Sequence, residues 1–284
     1  MRTPETTSRA DTAPKAATAA RLRAILAHLE KTALRPPTPS VAAAEREGRW
    51  RPDSQTRYCT RCGHNAGPAE QTRDGCAHCR GTPLAWDAVV RLGHYENDLR
   101  DWLLALKFAS TAALGAHLGA RLGQSVLEHL RPHDNATPPS HAEHKENHTQ
   151  PQTPPPVIVP VPTARLRKLA RGIDHTRELA RGVAASTRFP LRTALAARHH
   201  RPQHRLAGED RRTNLAPAFR IRPRAAADIA GRGVILIDDV LTTGSTARGA
   251  CLALSGRPDL RSRRSPNAPA WILLAVAAVA GHDD

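Results

Sequence analysis

The residues best suited to chemistry lie in one stretch, Val234–Thr246, which reads VILIDDVLTTGST. Two carboxylates, Asp238 and Asp239, follow four apolar residues. Five small residues come next, four of them with hydroxyl groups: Thr242, Thr243, Gly244, Ser245 and Thr246. A small-residue turn in front of a helix presents backbone N–H groups to an anion, and a glycine there lets the backbone approach closely. The pattern therefore predicts a phosphate-binding loop rather than a plain turn between a strand and a helix.

The flanking residues predict the elements that must position this loop. Val234–Ile237 is typical of a strand buried on both faces of a parallel sheet, and the two acids then lie at its carboxyl end. Ala247–Leu254 has the composition of a helix. Ligands of open α/β sheets bind at this edge. Other phosphate motifs fit less well, because the sequence has no GxxxxGK[ST] and no GxGxxG after a strand.

A second feature suited to anions begins at Val157–Pro162, a predicted buried strand closed by proline. A cationic loop with Arg165, Arg171 and Gly172 follows, and Asp174-His175-Thr176 then opens a predicted helix. A solvated basic face is the alternative for this loop. Paired with the first loop, it would bind a pyrophosphate. A later cationic segment contains Arg211 and Arg212 and is expected to close over a polyanionic ligand as a lid.

Four cysteines form two CxxC pairs with a glycine-containing loop between them: Cys59, Cys62, Cys76 and Cys79. Two such pairs at this separation place four thiolates tetrahedrally around one Zn²⁺, and a closed four-cysteine site is structural. Disulfide bonds are the competing interpretation, which a reducing compartment disfavours. His64 and His78 lie beside the pairs and could substitute as ligands. Cys251 stands alone and is expected to be a small buried residue.

Composition limits the classes of protein that remain. The chain has 284 residues, a formal net charge of +16 and a pI of about 11.0, which favours polyanionic partners or reflects a biased genomic composition. The N-terminus lacks the apolar region of a secretory signal. Trp271–Ala280, the longest apolar run, is about half a membrane span, so a core strand explains it better. We expect a cytoplasmic protein without a membrane span.

The chain divides by composition into three predicted parts. Residues 1–53 form an extension, disordered apart from one amphipathic helix at Ala16–Leu34. Residues 54–84 form the zinc ribbon. Residues 85–280 form the main domain, with predicted helices at Leu99–Phe108 and 111–130 and a last strand at Trp271–Val276. A Pro- and His-rich insertion at about 131–156 is predicted to be disordered.

DDVLTTGST resembles the motif of type I phosphoribosyltransferases, which bind 5-phosphoribosyl-1-pyrophosphate. The order of all the features, from the two CxxC pairs through VPVP, RGIDHT and the Arg-rich segment to DDVLTTGST, is similar to that of the ComF family. Those competence-associated proteins join a zinc ribbon to a phosphoribosyltransferase-like domain. The resemblance implies an α/β fold with a type I phosphoribosyltransferase-like parallel sheet flanked by helices and a small N-terminal zinc ribbon.

The same resemblance implies roles for the candidate residues. Thr242–Thr246 would bind the 5-phosphate, and Asp238 and Asp239, as the catalytic residues, would hold the ribose hydroxyls directly or through Mg²⁺. The first hypothesis is a Mg²⁺-dependent phosphoribosyltransferase that transfers phosphoribosyl to an unidentified acceptor. The second is a non-catalytic protein that binds a nucleotide phosphate and handles single-stranded DNA with other DNA-uptake proteins. A sensor of phosphoribosyl pyrophosphate would use the same loop.

Overall fold

The computed structural model describes residues 40–72, 74–108, 112–131, 154–162, 174–198 and 218–281. All of them belong to one unit, Pro39–Asp284. The helix predicted at Ala16–Leu34 and most of the predicted insertion lie outside the described residues. The same is true of five candidate site residues, which stay predictions: Arg165, Arg171, Gly172, Arg211 and Arg212.

The described chain contains both helices and strands. The α-helices are α1 (Val41–Arg46), α2 (Asn97–Phe108), α3 (Ala112–Leu130), α4 (His175–Thr187), α5 (Ala226–Ile229) and α6 (Ser245–Ser255). The strands are β1 (Ala88–His94), β2 (Val157–Pro160), β3 (Leu195–Ala197), β4 (Phe219–Ile221), β5 (Gly233–Leu241) and β6 (Trp271–Val279). No helix among the described residues is both long and apolar enough to cross a bilayer.

The main sheet is parallel throughout and has the strand order β1-β6-β5-β2. A separate antiparallel hairpin joins β3 to β4. The two central strands, β5 and β6, are each nine residues long and almost wholly buried, as their continuous apolar runs predict. The predicted fold class, a parallel α/β sheet flanked by helices with a small cysteine-rich part before it, is confirmed. The strand predicted at Val234–Ile237 is longer than expected and includes both acids.

Alternation of side chains along the strands divides the core into two layers. Ile235 and Ile237 of β5 pack on one face, against α1 to α4. Val234 and Leu236 pack on the other face, against α5, α6 and the β3–β4 hairpin. The same alternation continues beyond the apolar run, so it decides the face on which each acid lies.

The core begins earlier in the chain than the sequence interpretation placed it. Val41 and Ala44 of α1 are buried in the same layer as α3, and Glu45 forms an ion pair with Arg121. Trp50 meets Trp102 edge to face, with ring centroids 5.1 Å apart. Residues 1–53 were assigned as a whole to an extension outside the core, whereas residues 41–53 pack on it. Helix α1 is only six residues long and half alanine, too short to show a helical period in the sequence.

Helices α3 and α4 approach each other unusually closely because glycines line the contact. Gly115, Gly119 and Gly123 recur every four residues on α3 and therefore share one face. A Cβ atom at Gly119 would overlap the carbonyl oxygen of Leu179, and one at Gly182 of α4 would overlap that of Ala116. The close approach brings the first turn of α4 toward the end of β5.

We expect Gly119→Ala to lower the free energy of unfolding by about 3 kcal/mol, because the added methyl group must push two backbones apart. The matched control is Gly249→Ala on α6, where the new Cβ would lie 3.4 Å from the ring of Phe219, an ordinary contact. There, helix propensity should raise the stability by up to about 1 kcal/mol. Urea unfolding measures both variants, and equal effects would contradict the close helix packing.

Candidate functional site

The two predicted acids lie near the carboxyl end of the central strand β5, where alternation sends them to opposite faces. Asp239 continues the row of Ile235 and Ile237 and therefore faces α2 and α4. Asp238 continues the row of Val234 and Leu236. Both are buried: 7% of the surface of Asp238 and 9% of the surface of Asp239 is exposed. Two ionisable groups at the end of an apolar strand need partners, and the two acids find different ones.

Asp239 is paired with a cation and a histidine from two different helices. Its Oδ2 atom lies 2.7 Å from Nζ of Lys107, near the end of α2, and 3.3 Å from Nε2 of His175, the first residue of α4. Its Oδ1 atom accepts the backbone N–H of Val240 at 2.8 Å. Burial favours the protonated acid, but the hydrogen bond from His175 and the charge of Lys107 outweigh it and lower the pKa of Asp239 below its usual range.

Asp238 has the opposite electrostatic character. Burial raises its pKa well above the ordinary value, and the charge of the neighbouring Asp239 raises it further. The backbone N–H of Asp239 donates to its Oδ1 atom at 2.9 Å, which only partly offsets these effects. Two adjacent carboxylates therefore have pKa values that are pushed apart, an arrangement that is common in functional sites.

His175 is held in one orientation. The carbonyl oxygen of Asp174 accepts backbone N–H groups of the first turn of α4, and the Thr176 hydroxyl lies 2.9 Å from the carbonyl oxygen of Val161. The Nδ1 atom of His175 is buried and has no hydrogen-bond partner among the described residues. His175 therefore contacts Asp239 through Nε2, while the cationic side chain of Lys107 lies beside the same carboxylate oxygen.

The predicted phosphate loop directly follows β5 and ends at the start of α6. Gly244 is the N-cap residue, with φ 72°, a left-handed conformation that favours glycine. No side chain caps the helix among the described residues, and its first turn contains no acid. Thr242, Thr243, Ser245 and Thr246 are exposed. The loop therefore presents hydroxyl groups and uncapped N–H groups at the positive end of the helix dipole.

The acids and the loop open on one cavity of about 400 Å³. One side of the cavity is lined by Lys107, His175 and both acids, together with Thr246 from the phosphate loop. The opposite side is formed by the β3–β4 hairpin, through Arg198 and Phe219. The cavity is thus bounded by the predicted phosphate loop, by the two acids as hydrogen-bond acceptors and by the cationic side chain of Lys107. This combination suits a small phosphorylated and hydroxylated ligand.

The acid pair is a poor fit for a magnesium ion bound by the protein. Mg²⁺ requires an octahedral set of oxygen ligands. Oδ2 of Asp239 already contacts Lys107 and His175, and one oxygen of each acid accepts a backbone N–H group. The arrangement instead suits direct hydrogen bonds with hydroxyl groups, the first of the two modes that the sequence predicts.

The four predicted metal ligands come together at a second site, within the cysteine module (residues 54–84). The sulfur atoms all lie within 4.8 Å of one another, and three pairs are 3.6, 3.8 and 4.0 Å apart. Tetrahedral ligation with Zn–S bonds of about 2.3 Å requires about 3.8 Å between sulfurs. These distances fit a metal ion, whereas a disulfide requires about 2.05 Å. All five cysteines are free and buried, Cys251 included.

Glycines and hydrogen bonds shape the turns of this cluster. Gly75 has φ 100°, and a Cβ atom there would overlap the sulfur of Cys79. Burial would raise the pKa of the Cys59 thiol, but backbone N–H groups of Cys62 and Arg61 outweigh it and lower the pKa to about 7. His64 and His78 stack on each other, with ring centroids 3.5 Å apart. Burial raises the pKa of the Cys62 and Cys79 thiols, so a bound cation would be needed to hold these two as thiolates.

Sequence reasoning did not assign Lys107 and His175 to the site. Lys107 falls within the predicted helix Leu99–Phe108 and His175 at the predicted start of another helix, but no periodicity indicates that two helix ends converge on one carboxylate. The signal that could have found them is topological. His175 follows β2, and parallel strands end at the same edge of a sheet, so it had to lie near the end of β5.

Comparison with known proteins identifies relatives of this chain. No family model matches the chain. Competence protein F of Haemophilus influenzae is 27% identical over 187 residues, which cover 65% of this chain and 74% of that protein. DNA utilization protein YhgH of Escherichia coli K12 is 27% identical over 190 residues, and that of Salmonella typhimurium is 28% identical; both matches cover 66% of this chain and 73% of the relative. These relatives support the resemblance to the ComF family that the sequence motifs indicate.

Among solved structures, this chain is similar to the allosteric regulatory enzyme of purine biosynthesis, with a TM-score of 0.35 and 12% identity. The match covers 61% of this chain and 30% of that chain, so it spans less than a third of the larger protein. The family resemblance indicated by the two CxxC pairs, VPVP and DDVLTTGST is confirmed by the sequence relatives.

The two acids should respond oppositely to neutralisation. Asp238→Asn removes a buried like charge and should raise the stability at neutral pH by about 1 kcal/mol, whereas Asp239→Asn leaves Lys107 unpaired and should lower it by about 2 kcal/mol. The raised pKa of Asp238 makes native stability fall as pH rises above the ordinary Asp value. The advantage of Asp238→Asn should therefore disappear toward about pH 4. Thermal unfolding measured between about pH 4 and neutral pH tests this prediction. An Asp238→Asn protein that is less stable than the native protein at neutral pH would contradict it.

The metal cluster predicts about one zinc ion per chain. Replacing Cys59 and Cys76 together by serine should abolish binding and expose the module to unfolding, because a structural metal contributes to folding directly. Cys251→Ser is the matched control, since it changes a buried cysteine away from the cluster and should retain the metal. Elemental analysis after gel filtration measures the content; metal retained by the double variant would rule out this ligand set.

Proposed function

We propose that this ComF-family protein binds phosphoribosyl pyrophosphate, or the phosphoribosyl part of a nucleotide, at the carboxyl edge of its sheet. The 5-phosphate lies on Thr242–Thr246, and the ribose hydroxyls contact Asp238 and Asp239. One observation carries the proposal. The buried acid pair lies near the end of β5, the uncapped N-terminus of α6 follows a few residues later, and both open on the same cavity.

The chemistry of each part matches that ligand. A phosphate gains from the first-turn N–H groups of α6, the helix dipole and the exposed hydroxyls. An ionised Asp239 accepts hydrogen bonds from a diol, and Asp238, whose pKa is raised by burial, offers a second carboxyl group beside it. Lys107 keeps Asp239 ionised without a bound metal. A phosphorylated ribose offers both kinds of group at a short separation.

Transfer of the phosphoribosyl group to an acceptor would extend this binding to catalysis. The bond between the anomeric carbon and the pyrophosphate oxygen would break as a bond to the acceptor forms, through a transition state with positive charge on the ribose. Nearby carboxylates stabilise such a charge, so catalysis would rest on positioning and electrostatics. Under this proposal Arg165, Arg171 and Gly172 contact the leaving pyrophosphate, Arg211 and Arg212 close over it, and any Mg²⁺ arrives with the pyrophosphate.

A structural role is proposed for the cysteine module, with one Zn²⁺ on Cys59, Cys62, Cys76 and Cys79. Such a closed site has no open coordination position, so it supplies no reaction step. The distances between its sulfur atoms support this assignment.

A second candidate function is the handling of single-stranded DNA, and the names of the relatives, which refer to competence and DNA utilization, favour it. The net charge of +16 agrees with it. The scarcity of aromatic residues, 3% of the chain, argues against a surface on which bases stack. The dependence of binding on salt concentration distinguishes the two candidate functions, because binding to a nucleic-acid backbone weakens steeply with salt.

Calorimetric titration with phosphoribosyl pyrophosphate and Mg²⁺ tests the first proposal. We expect binding to the native protein and at least about 30-fold weaker binding to Asp239→Asn, because a buried charged acceptor is lost. Glu96→Gln, an exposed acid outside the cavity, is the control and should bind as the native protein does. A parallel titration with a single-stranded oligonucleotide at two salt concentrations completes the experiment. Salt-sensitive oligonucleotide binding without any phosphoribosyl pyrophosphate binding would favour the second function and exclude the first.

A further inference from the structure

Trp86 connects the cysteine module to the phosphate loop. Its indole Nε1–H donates a hydrogen bond of 3.0 Å to the carbonyl oxygen of Arg61, which lies inside the first CxxC turn. Its ring lies against Gly244, where a Cβ atom would be only 3.0 Å from Cη2 of Trp86. Trp86 is 8% exposed, so it fills the space between the two sites. One rigid side chain thus contacts a turn of the metal cluster and the N-cap of α6.

Gly63 makes a second, independent connection. It follows Cys62 directly, and a Cβ atom there would lie 3.1 Å from Val279, 3.3 Å from Val89 and 3.6 Å from Leu241. Leu241 is the last residue of β5 and precedes the phosphate loop. The first CxxC turn therefore packs directly on the strand end from which that loop begins.

The conformation of this turn depends on the metal cluster. The backbone N–H of Gly63 donates to the carbonyl oxygen of Cys59 at 2.7 Å, which closes the turn around Arg61. Sulfur ligation fixes Cys59 and Cys62 at its two ends. Without the metal, the four sulfurs no longer have a common partner, and the Arg61 carbonyl loses its fixed direction toward Trp86.

From these contacts we infer that metal occupancy of the cysteine module sets the affinity of the phosphate loop, with Trp86 as the positioning residue between them. The inference rests on the proposed function, because it concerns the affinity of that same loop. It adds a regulatory role to a site assigned only as structural: loss of the metal weakens phosphate binding at the other end of Trp86.

Thermodynamic linkage makes the coupling reciprocal. If metal strengthens phosphate binding by some factor, phosphate must strengthen metal binding by the same factor. Couplings between sites in proteins typically change affinity by about 5- to 150-fold. We expect about tenfold here, the effect of one hydrogen bond together with a lost packing contact.

The experiment measures the affinity for ribose 5-phosphate in the full chain, loaded with or stripped of zinc, for the native protein and Trp86→Phe. Phenylalanine keeps an aromatic ring but loses the indole N–H and the atom that contacts Gly244. Stripping zinc should weaken binding by the native protein about tenfold, and Trp86→Phe with full zinc should be weakened similarly. Stripping the variant should change little more, because the connection is already broken.

Trp271→Phe is the matched control. Trp271 begins β6 and covers Gly233 at the opposite edge of the sheet, where a Cβ atom would overlap its ring. The variant should lose stability but keep native affinity and its response to zinc. A second readout needs no folded zinc-free protein: ribose 5-phosphate should lower, about tenfold, the fraction of zinc that a chromophoric chelator removes at equilibrium from the native protein, but not from Trp86→Phe.

Failure of this inference is distinguishable from failure of the proposed function. If zinc-loaded native protein does not bind ribose 5-phosphate, the proposed function fails and the inference fails with it. If it binds, but zinc-loaded Trp86→Phe binds equally well, the inference alone is overturned. The same holds if zinc removal and the substitution have fully additive effects. If stripped protein unfolds, the zinc-loaded variants and the chelator titration decide alone.

Discussion

Two neighbouring carboxylates buried on the central strand are the constraint on which the rest of the site depends. Adjacent residues of a strand point to opposite faces, so Lys107 pairs directly with Asp239 and has only a minor effect on the pKa of Asp238. Asp239 receives Lys107 and His175 from two helices, and α4 can deliver His175 because glycines let it approach α3 closely. Asp238 is instead buried beside the like charge of Asp239. The unfavourable electrostatics remain in the folded protein, as expected where residues serve a ligand rather than stability.

The cysteine module completes the sheet rather than standing apart from it. The backbone N–H of Val89 on the edge strand β1 donates to Thr60 at 2.6 Å, so the module covers an edge that would otherwise be open. Arg91 of the same strand is fully buried; its guanidinium donates to Gly63 and Asn65 of the module and pairs with Asp53. A buried cation with these partners ties the three segments together, since removing one partner leaves an uncompensated charge.

Local patterns were sufficient for much of this structure and failed where distant segments meet. The apolar runs of β5 and β6 predicted buried parallel strands, and the cysteine spacing predicted the sulfur cluster, because each pattern is satisfied within a few residues. Lys107 and Trp86 gave no such signal. Their roles depend on where α2 ends and on which side chain covers Gly244, and both follow from tertiary packing. Residues 41–53 were misplaced for the same reason, since their partners lie on α2, α3 and β1.

The acid pair also bears on what the cavity can bind. An internal nucleotide of DNA has no 2′-hydroxyl, and its 3′-oxygen is esterified, so it offers Asp238 and Asp239 no diol. A free phosphoribosyl group has both hydroxyls and one terminal phosphate, which suits the acids and the loop at once. Under the second candidate function, a single strand would therefore contact exposed arginines outside the cavity, and the cavity would remain available to a separate small ligand.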